Sequence, residues 1–383
     1  MGEKTGLNNA AGSENKARRL VISGYYGFRN SGDEAVLKSI LTALEESALQ
    51  TGVTVEPVVL SADPEWTARQ YGVEAVHRMK LAEVRQALSS SDGLISGGGS
   101  LLQDATGLGS IPYYLGIMEM ARWAGKPTFV YAQGIGPVNR KLFQPFISRA
   151  FRRAAYLSVR DDESAQLLRR YGVGADRIDV VPDPVMGLPL GGAADVAPPA
   201  AGEDTPPVVG VSVRFWRSDR ADLDRTAAAL EALAGRHRVR LRFLPFHQGS
   251  DEDASRYVME RLGAAAGLAE LAPSHEDPQL MLREVSRCAL LIGMRLHSLI
   301  YAANRRVPLL GISYDPKIDQ FLHRLGQRPA GTTESIDPHF FAEDAVHLLN
   351  HPDQWHESTD SAITRLKQEA IRPAQQIIQS IRI

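Results

Sequence analysis

One cysteine among 383 residues excludes an internal disulfide and suits a reducing, cytoplasmic setting. That residue, Cys288, lies in the apolar run Ser286-Arg-Cys-Ala-Leu-Leu-Ile292 and reads as a small buried hydrophobe. Long apolar runs are absent as well: none approaches the roughly 20 residues that cross a bilayer. An excess of one charge sign is also lacking. Lys and Arg number 43 against 45 Asp and Glu, a formal net charge of -2, so the chain has no general pull toward nucleic acid and any anion must be recognised by a local cluster. Residues 1–17 are rich in Gly, Asn, Glu and Lys without the apolar middle of a secretory signal, and are expected to be disordered.

What is present is alternation. A hydrophobic content of 44% leaves room for two domains of ordinary size. Short β-rich runs at residues 20–24, 54–60, 93–96, 128–132 and 156–159 alternate with amphipathic stretches of helical length at 33–49, 64–71 and 111–123. Such alternation predicts βαβ units and a parallel sheet. Between 187 and 207 the composition turns to Gly, Pro and Ala with almost no periodicity, which reads as a linker. Strand candidates resume at 208–213, 239–244, 290–292 and 307–312. The expected fold is α/β, with two doubly wound Rossmann-like domains facing a cleft: residues 18–186 and residues 208–383. The last stretch, 358–383, has helical composition broken at Pro373 and is expected to pack back across the domains.

Three glycine-rich turns follow predicted strands. The first, within Val21-Ile-Ser-Gly-Tyr-Tyr-Gly-Phe-Arg-Asn-Ser-Gly-Asp-Glu34, leads into a helix start whose exposed amides suit an anion or sugar hydroxyls. Its spacing is neither G-x-G-x-x-G nor G-x-x-x-x-G-K-S/T, so the dinucleotide fingerprint and the Walker A loop are both missing. Asp33 and Glu34 either oppose the positive end of the helix dipole or supply a hydroxyl acceptor or general base. The second turn, Ser96-Gly-Gly-Gly-Ser-Leu-Leu-Gln-Asp104, spends three consecutive glycines where a ligand must approach the backbone or a helix must pack closely. Gln133-Gly-Ile-Gly-Pro137 repeats the theme more weakly. Gly27, Asn30 and Glu34 of the first turn, with Gly98, Gly99, Gln103 and Asp104 of the second, are the candidates for binding a ligand's hydroxyls on this side.

Cations gather at the ends of the predicted strands. Gly293-Met294-Arg295-Leu296-His297-Ser298 stops a buried strand, expected over 288–292, with an arginine and a histidine two positions apart, and a helix is expected over 299–304. Arg160 and Arg214 each close a strand, His247 follows another, and Lys317 lies in Ser313-Tyr-Asp-Pro-Lys317. In open α/β sheets ligands sit at the carboxyl edge, so these groups are expected to converge on one cleft. A fixed cation beside a titratable imidazole suits an anionic substrate that must exchange a proton.

Taken as a set, the 24–34 turn, Gly97-Gly-Gly-Ser100 with Gln103 and Asp104, Gln133-Gly-Ile-Gly-Pro137, Val159-Arg-Asp161 and Gly293-Met-Arg-Leu-His297 resemble the polysaccharide pyruvyltransferases over residues 19–345. Tyr25-Tyr-Gly-Phe-Arg-Asn-Ser-Gly-Asp-Glu34 and Tyr314-Asp-Pro-Lys317 are similar to the bacterial CsaB branch. The resemblance implies a fold like that of the GT-B glycosyltransferases and use of phosphoenolpyruvate to place a pyruvate ketal on a sugar. For the branch it implies a 4,6-ketal on N-acetylmannosamine in a lipid-diphosphate-borne cell-wall precursor. It also implies that Arg295, Leu296 and His297 contact phosphoenolpyruvate, with a further arginine matching Arg160 or Arg214.

The chemistry sets its own demands. Protonating C3 of phosphoenolpyruvate turns C2 into an oxocarbenium-like centre, one sugar hydroxyl attacks it, and a second displaces phosphate. The site needs cations for carboxylate and phosphate, a proton donor and a base, and no metal or further cofactor. Arg160, Arg295 and Lys317 are expected to clamp the donor, with Arg214 and His247 in support, His297 as acid and Asp33 as base. From Val138 to Arg160 no acidic residue occurs, and Arg140, Lys141, Arg149, Arg152 and Arg153 flank Leu142, Phe143, Phe146, Ile147, Ala150 and Phe151 at helical spacing. That stretch reads either as ordinary core or as a helix resting on anionic lipid beside a lipid-linked acceptor. Two other readings stay open, a GT-B nucleotide-sugar glycosyltransferase and a non-catalytic sensor of an anionic metabolite.

Overall fold

The computed structural model describes residues 17–104, 107, 109–191 and 206–382. Apart from Ala17, the stretch 1–17 where disorder is expected, and most of the linker expected over 187–207, lie outside the described residues.

Among the described residues, fourteen strands form two sheets. The first contains β1 (Arg18–Tyr26), β2 (Val55–Ser61), β3 (Glu74–His77), β4 (Gly93–Ser96), β5 (Gly99–Leu102), β6 (Thr128–Ile135), β7 (Tyr156–Val159) and β8 (Asp179–Val180). Their order is β3-β2-β1-β4-β6-β7-β8, with β5 paired to β6, and every pairing is parallel. The second contains β9 (Val208–Ser212), β10 (Arg240–Phe243), β11 (Ala269–Leu271), β12 (Leu290–Gly293), β13 (Leu309–Ser313) and β14 (Gly331–Thr332), in the order β11-β10-β9-β12-β13-β14, also parallel. Helices cover both faces of each sheet, so central strands carry unbroken apolar runs; β6 is buried at every position.

Each sheet reverses its strand order beside its first strand, between β1 and β4 and between β9 and β12. Crossovers leave such a point toward opposite faces and open a crevice at the carboxyl edge. Register sets Ser23 beside Ser96 and Ser212 beside Gly293, so the turns after these four strands end at the two crevices.

Several devices hold the domains face to face. Asn304 donates from Nδ2 to the carbonyls of Val185, Met186 and Leu188 at 2.8, 3.0 and 2.9 Å, fixing the segment that leaves the first domain. Glu276 of the second domain accepts from Arg29 and from the Trp66 indole, both at 3.0 Å. One apolar core runs from Leu37 and Ile40 through Val185 to Leu299 and Tyr301 without stopping at the domain boundary. Gly191 donates to Gln279 Oε1 at 2.7 Å, so the start of the compositionally linker-like stretch is docked.

The final helix, Pro352–Ile381, runs through Pro373 rather than breaking there. A proline inside a helix costs about 3 kcal/mol. Burial of Ile363, Leu366, Ala370, Ala374 and Ile377 along one face outweighs that, since each large side chain contributes about 1.5–3 kcal/mol. Arg372 pairs with Asp179 at 2.8 Å and Gly187 rests on Ala370, so this helix closes against the first domain. No helix among the described residues is long and apolar enough to cross a membrane.

Candidate active site

A cleft of about 410 Å³ opens between the two carboxyl edges, a size ordinary for small-molecule sites, which span about 300–1,000 Å³. The first domain contributes Tyr25, Asp33, Gly99, Ser100, Gln103, Tyr114 and Arg160; the second contributes Arg214, Leu296, His297, Tyr314 and Lys317. The helices Ser31–Thr51, Ser110–Trp123, Leu296–Asn304 and Pro316–Arg324 begin here. Their aligned dipoles favour negative charge at this spot, although Asn30 and Asp315 already accept from the Gly32 and Lys317 amides.

Arg160 is buried at the end of β7 and donates from Nη2 to Ser100 Oγ at 2.7 Å. Its other nitrogens lie 3.5 Å from Asp161 and 3.6 Å from Asp183. Gly134 supplies the clearance, because a Cβ there would stand 2.7 Å from the guanidinium. That is the role of the third glycine turn.

His297 sits in the first turn of its helix, against Gly32 of the opposite domain, where a Cβ would overlap the ring. Its Nε2 faces Asp183 Oδ2 at 3.7 Å, and both atoms are buried without a hydrogen-bond partner. Burial, reinforced by the charges of Arg160 and Arg295, holds the imidazole pKa below its usual value, while Asp183 pulls the other way. Asp33 lies across the cleft floor. Burial and then the Glu34 carboxylate push its pKa up to about 7, with Arg160 opposing. Two titratable groups with pKa values shifted by their surroundings, one from each domain, thus line the same cleft. Burial and Arg160 likewise lower the pKa of the Lys317 amine.

The structure brings Asp33, Gly99, Gln103, Arg160, Arg214, Leu296, His297 and Lys317 of the expected set to this cleft. Arg295 is not among them: its guanidinium is bound at two oxygens by Asp251, with Nε to Oδ2 at 3.0 Å, and Asp251 is fully buried. The same carboxylate accepts from the His247 amide at 3.0 Å, while the His247 ring turns outward to the Gln248 carbonyl. Glu34 is buried as a scaffold, accepting from the Gly27 amide at 2.9 Å and the Tyr71 hydroxyl at 2.8 Å. Asn30 caps the Ser31–Thr51 helix through the Gly32 amide at 3.1 Å. Asp104 holds the amides of Asn139 and Arg140 at 2.8 and 2.9 Å, outside the cleft.

The triple glycine divides between the two explanations offered for it. Gly97 and Gly98 make room for the Tyr26 hydroxyl and for Val36, which is packing. Gly99, at φ +95, faces Asp33 in the cleft. Gly27 turns the chain at φ +79 against Ser61 and Asp63. Asp183 went unseen in the sequence, although a carboxylate between two prolines just after β8 carried the same strand-end signal as the arginines. Among the described residues no three His, Cys, Asp or Glu side chains gather to hold a metal ion.

The fold recurs in solved structures of low sequence identity. A glycosyltransferase from Rickettsia africae aligns at TM-score 0.63 and 10% identity over 95% of this chain and 98% of its own. UDP-GlcNAc 2-epimerase from Neisseria meningitidis, bound to UDP-GlcNAc, aligns at 0.62 and 10% over 95% and 100%. Anabaena HepE in complex with UDP aligns at 0.61 and 13% over 95% and 99%. These likenesses establish a two-domain Rossmann-like GT-B fold. No curated protein sequence matches the chain. The sequence profile described as polysaccharide pyruvyl transferase matches residues 30–316, which takes in both crevices and nearly every cleft residue named above, and the chain belongs to that family.

Proposed function

We propose that the cleft transfers the pyruvate of phosphoenolpyruvate onto two hydroxyls of a sugar as a ketal, releasing phosphate. The observation that carries this reading is the gathering of Arg160, Lys317, Arg214, His297 and Asp33 from both domains in one pocket of a chain belonging to this family. Arg160 and Lys317, with Arg214 and the helix starts around the cleft, hold the donor's carboxylate and phosphate. Charge-assisted hydrogen bonds of this kind contribute about 1.5–3 kcal/mol each.

His297 protonates C3. A dianion bound beside it raises the lowered imidazole pKa, so donor binding loads the proton that the reaction consumes. Asp33, ionised above about pH 7, takes the proton of the attacking hydroxyl. The second hydroxyl displaces phosphate, which carries off the remaining proton.

The acceptor in this reading is N-acetylmannosamine within a lipid-diphosphate-linked cell-wall precursor, modified at the 4 and 6 positions, as in the CsaB branch, by a cytoplasmic enzyme at the inner face of the membrane. A surface supports that location. Within residues 138–160 a short turn leads into the helix Gln144–Arg152, whose Ile147, Ala150 and Phe151 are core, whereas Leu142 and Phe146 are 71% and 57% exposed. With Trp123, 73% exposed, they line an apolar groove flanked by Arg122 and Arg149. The helix Ser110–Trp123 lines this groove on one side and the cleft on the other.

Phosphate release from phosphoenolpyruvate in the presence of the lipid-linked disaccharide tests the reading, with mass spectrometry of the product. The acceptor should gain the mass of a pyruvate ketal, and His297→Gln should slow release about 10²–10⁴-fold. Normal turnover by that variant removes the acid assignment. Inhibition of binding by UDP with no response to phosphoenolpyruvate favours the glycosyltransferase alternative that the fold neighbours raise.

A further inference from the structure

Each side of the cleft carries an aromatic pair braced by an arginine, and Tyr25, Phe28 and Trp216 of these rings are exposed. On the first domain Tyr25 and Phe28 stack at 4.0 Å between ring centroids and 8° between planes, with 41% and 44% of their surface exposed. Arg78 is buried beside them, its Cζ 6.0 Å from the Tyr25 ring centre, 5.3 Å from Phe28 and 4.4 Å from Tyr113. It is tied to the Gly24 carbonyl and the Tyr114 hydroxyl, both at 3.3 Å. On the second domain Trp216 leans on Tyr314 at 4.4 Å and is 50% exposed, while Arg214 donates to the Tyr314 hydroxyl at 2.9 Å.

Tyr25, Phe28 and Trp216 do not serve the core, whereas Tyr314 is half-buried and packs against it. Large aromatic rings left in water forgo burial that a fold of this size readily supplies, and here they stand where the domains face each other. Tyr25 and Tyr314 line the same pocket as Asp33. The arginine beside each pair fixes the rings before any ligand arrives, which lowers the ordering cost of binding. A π face is negative, and the C–H groups of a pyranose, polarised by the ring and hydroxyl oxygens, are positive; sugars therefore lie flat on aromatic rings. The hydroxyls of Ser100, Ser110 and Tyr114 at the same wall offer partners for the sugar's own hydroxyls.

We infer that Tyr25, backed by Phe28 and Arg78, and Tyr314, backed by Trp216 and Arg214, are the two walls of a subsite that holds the acceptor pyranose beside Asp33. The inference rests on the pyruvyl-transfer reading for what happens to that sugar, but not for its binding. It replaces the hydroxyl-binding role expected of Asn30, Glu34 and Asp104, which the structure uses to shape loops.

Two measurements test it. Titrating the protein with N-acetylmannosamine should quench Trp216 fluorescence, and the change should vanish in Trp216→Phe; uridine diphosphate should leave it unaltered. In the phosphate-release assay Tyr25→Ala should raise the acceptor KM by about tenfold or more while the affinity for phosphoenolpyruvate, read by calorimetry, stays within about twofold, and Tyr25→Phe should restore the acceptor KM because the wall needs the ring. An unchanged acceptor KM in Tyr25→Ala, equal loss of donor and acceptor affinity, or quenching by the nucleotide and not the sugar overturns the subsite. Sugar binding without any phosphate release would leave the subsite standing and sink the pyruvyl-transfer reading.

Discussion

Replacing Asp33 by asparagine should abolish turnover and strengthen the fold, and the gain in stability should depend on pH. Burial and the adjacent Glu34 lift the Asp33 carboxyl from 3.8 to about 7. A carboxyl with a higher pKa in the folded chain than in the unfolded one makes the folded state bind more protons between those two values. Stability from this group is therefore greatest at low pH and falls as pH rises from about 3.8 to about 7, then stays level. Asparagine keeps the shape and has no such proton, so it escapes the loss. Between pH 5 and the folded pKa lie two pKa units of about 1.36 kcal/mol each, so the variant's advantage should grow by at most about 2.7 kcal/mol. The cleft is open to water, and screening roughly halves this to about 1–2 kcal/mol. Urea unfolding of both proteins at pH 5 and pH 8, followed by tryptophan fluorescence, reads the difference, in which other titrating groups largely cancel. An advantage that is the same at both pH values, or a variant weaker than wild type at pH 8, refutes the argument that Asp33 is held as a strained carboxyl for its chemistry. The same group predicts an acid limb in kcat/KM near pH 7, rising with pH.

Arg295→Ala leaves the fully buried Asp251 without its partner and should destabilise the protein by about 3–5 kcal/mol, with recovery in the double variant that adds Asp251→Asn; calorimetry on the double variant should show near-normal phosphoenolpyruvate affinity, and loss of that affinity would return Arg295 to the donor clamp. Lys317→Gln should weaken donor binding about 10- to 150-fold with little change in unfolding midpoint, since one charge-assisted contact contributes about 1.5–3 kcal/mol. Sedimentation with anionic vesicles should deplete the wild-type protein at low salt and spare a Trp123→Asp, Phe146→Asp variant; no sedimentation of wild type ends the membrane reading.

Local pattern determined most of the strands and helices. The runs at 64–71 and 93–96 matched helix Pro64–Tyr71 and strand Gly93–Ser96 residue for residue, because each is bounded by a cap or glycine that acts over a few positions. Short, weakly apolar elements such as β3 and β5, together with the helix Leu81–Ser89, escaped notice, their pattern being shorter than a reliable period. The helix at 296 began three residues before its apolar stretch since Arg295 supplies the cap backbone. Sequence also placed charged residues at strand ends, and with them the cleft. Which of those charges is free to meet a ligand was decided only by tertiary structure. Arg295 and Asp251 are 44 positions apart, His297 and Asp183 more than a hundred, and nothing in local composition records that parallel strand order sets one pair in bonding contact and leaves the other facing across 3.7 Å. The aromatic walls are the same case: Tyr25 and Tyr314 meet one cavity because two sheets reverse their order at opposing edges, and an ion pair or a stacked ring forms only where the folded backbone brings its partners within a few ångströms.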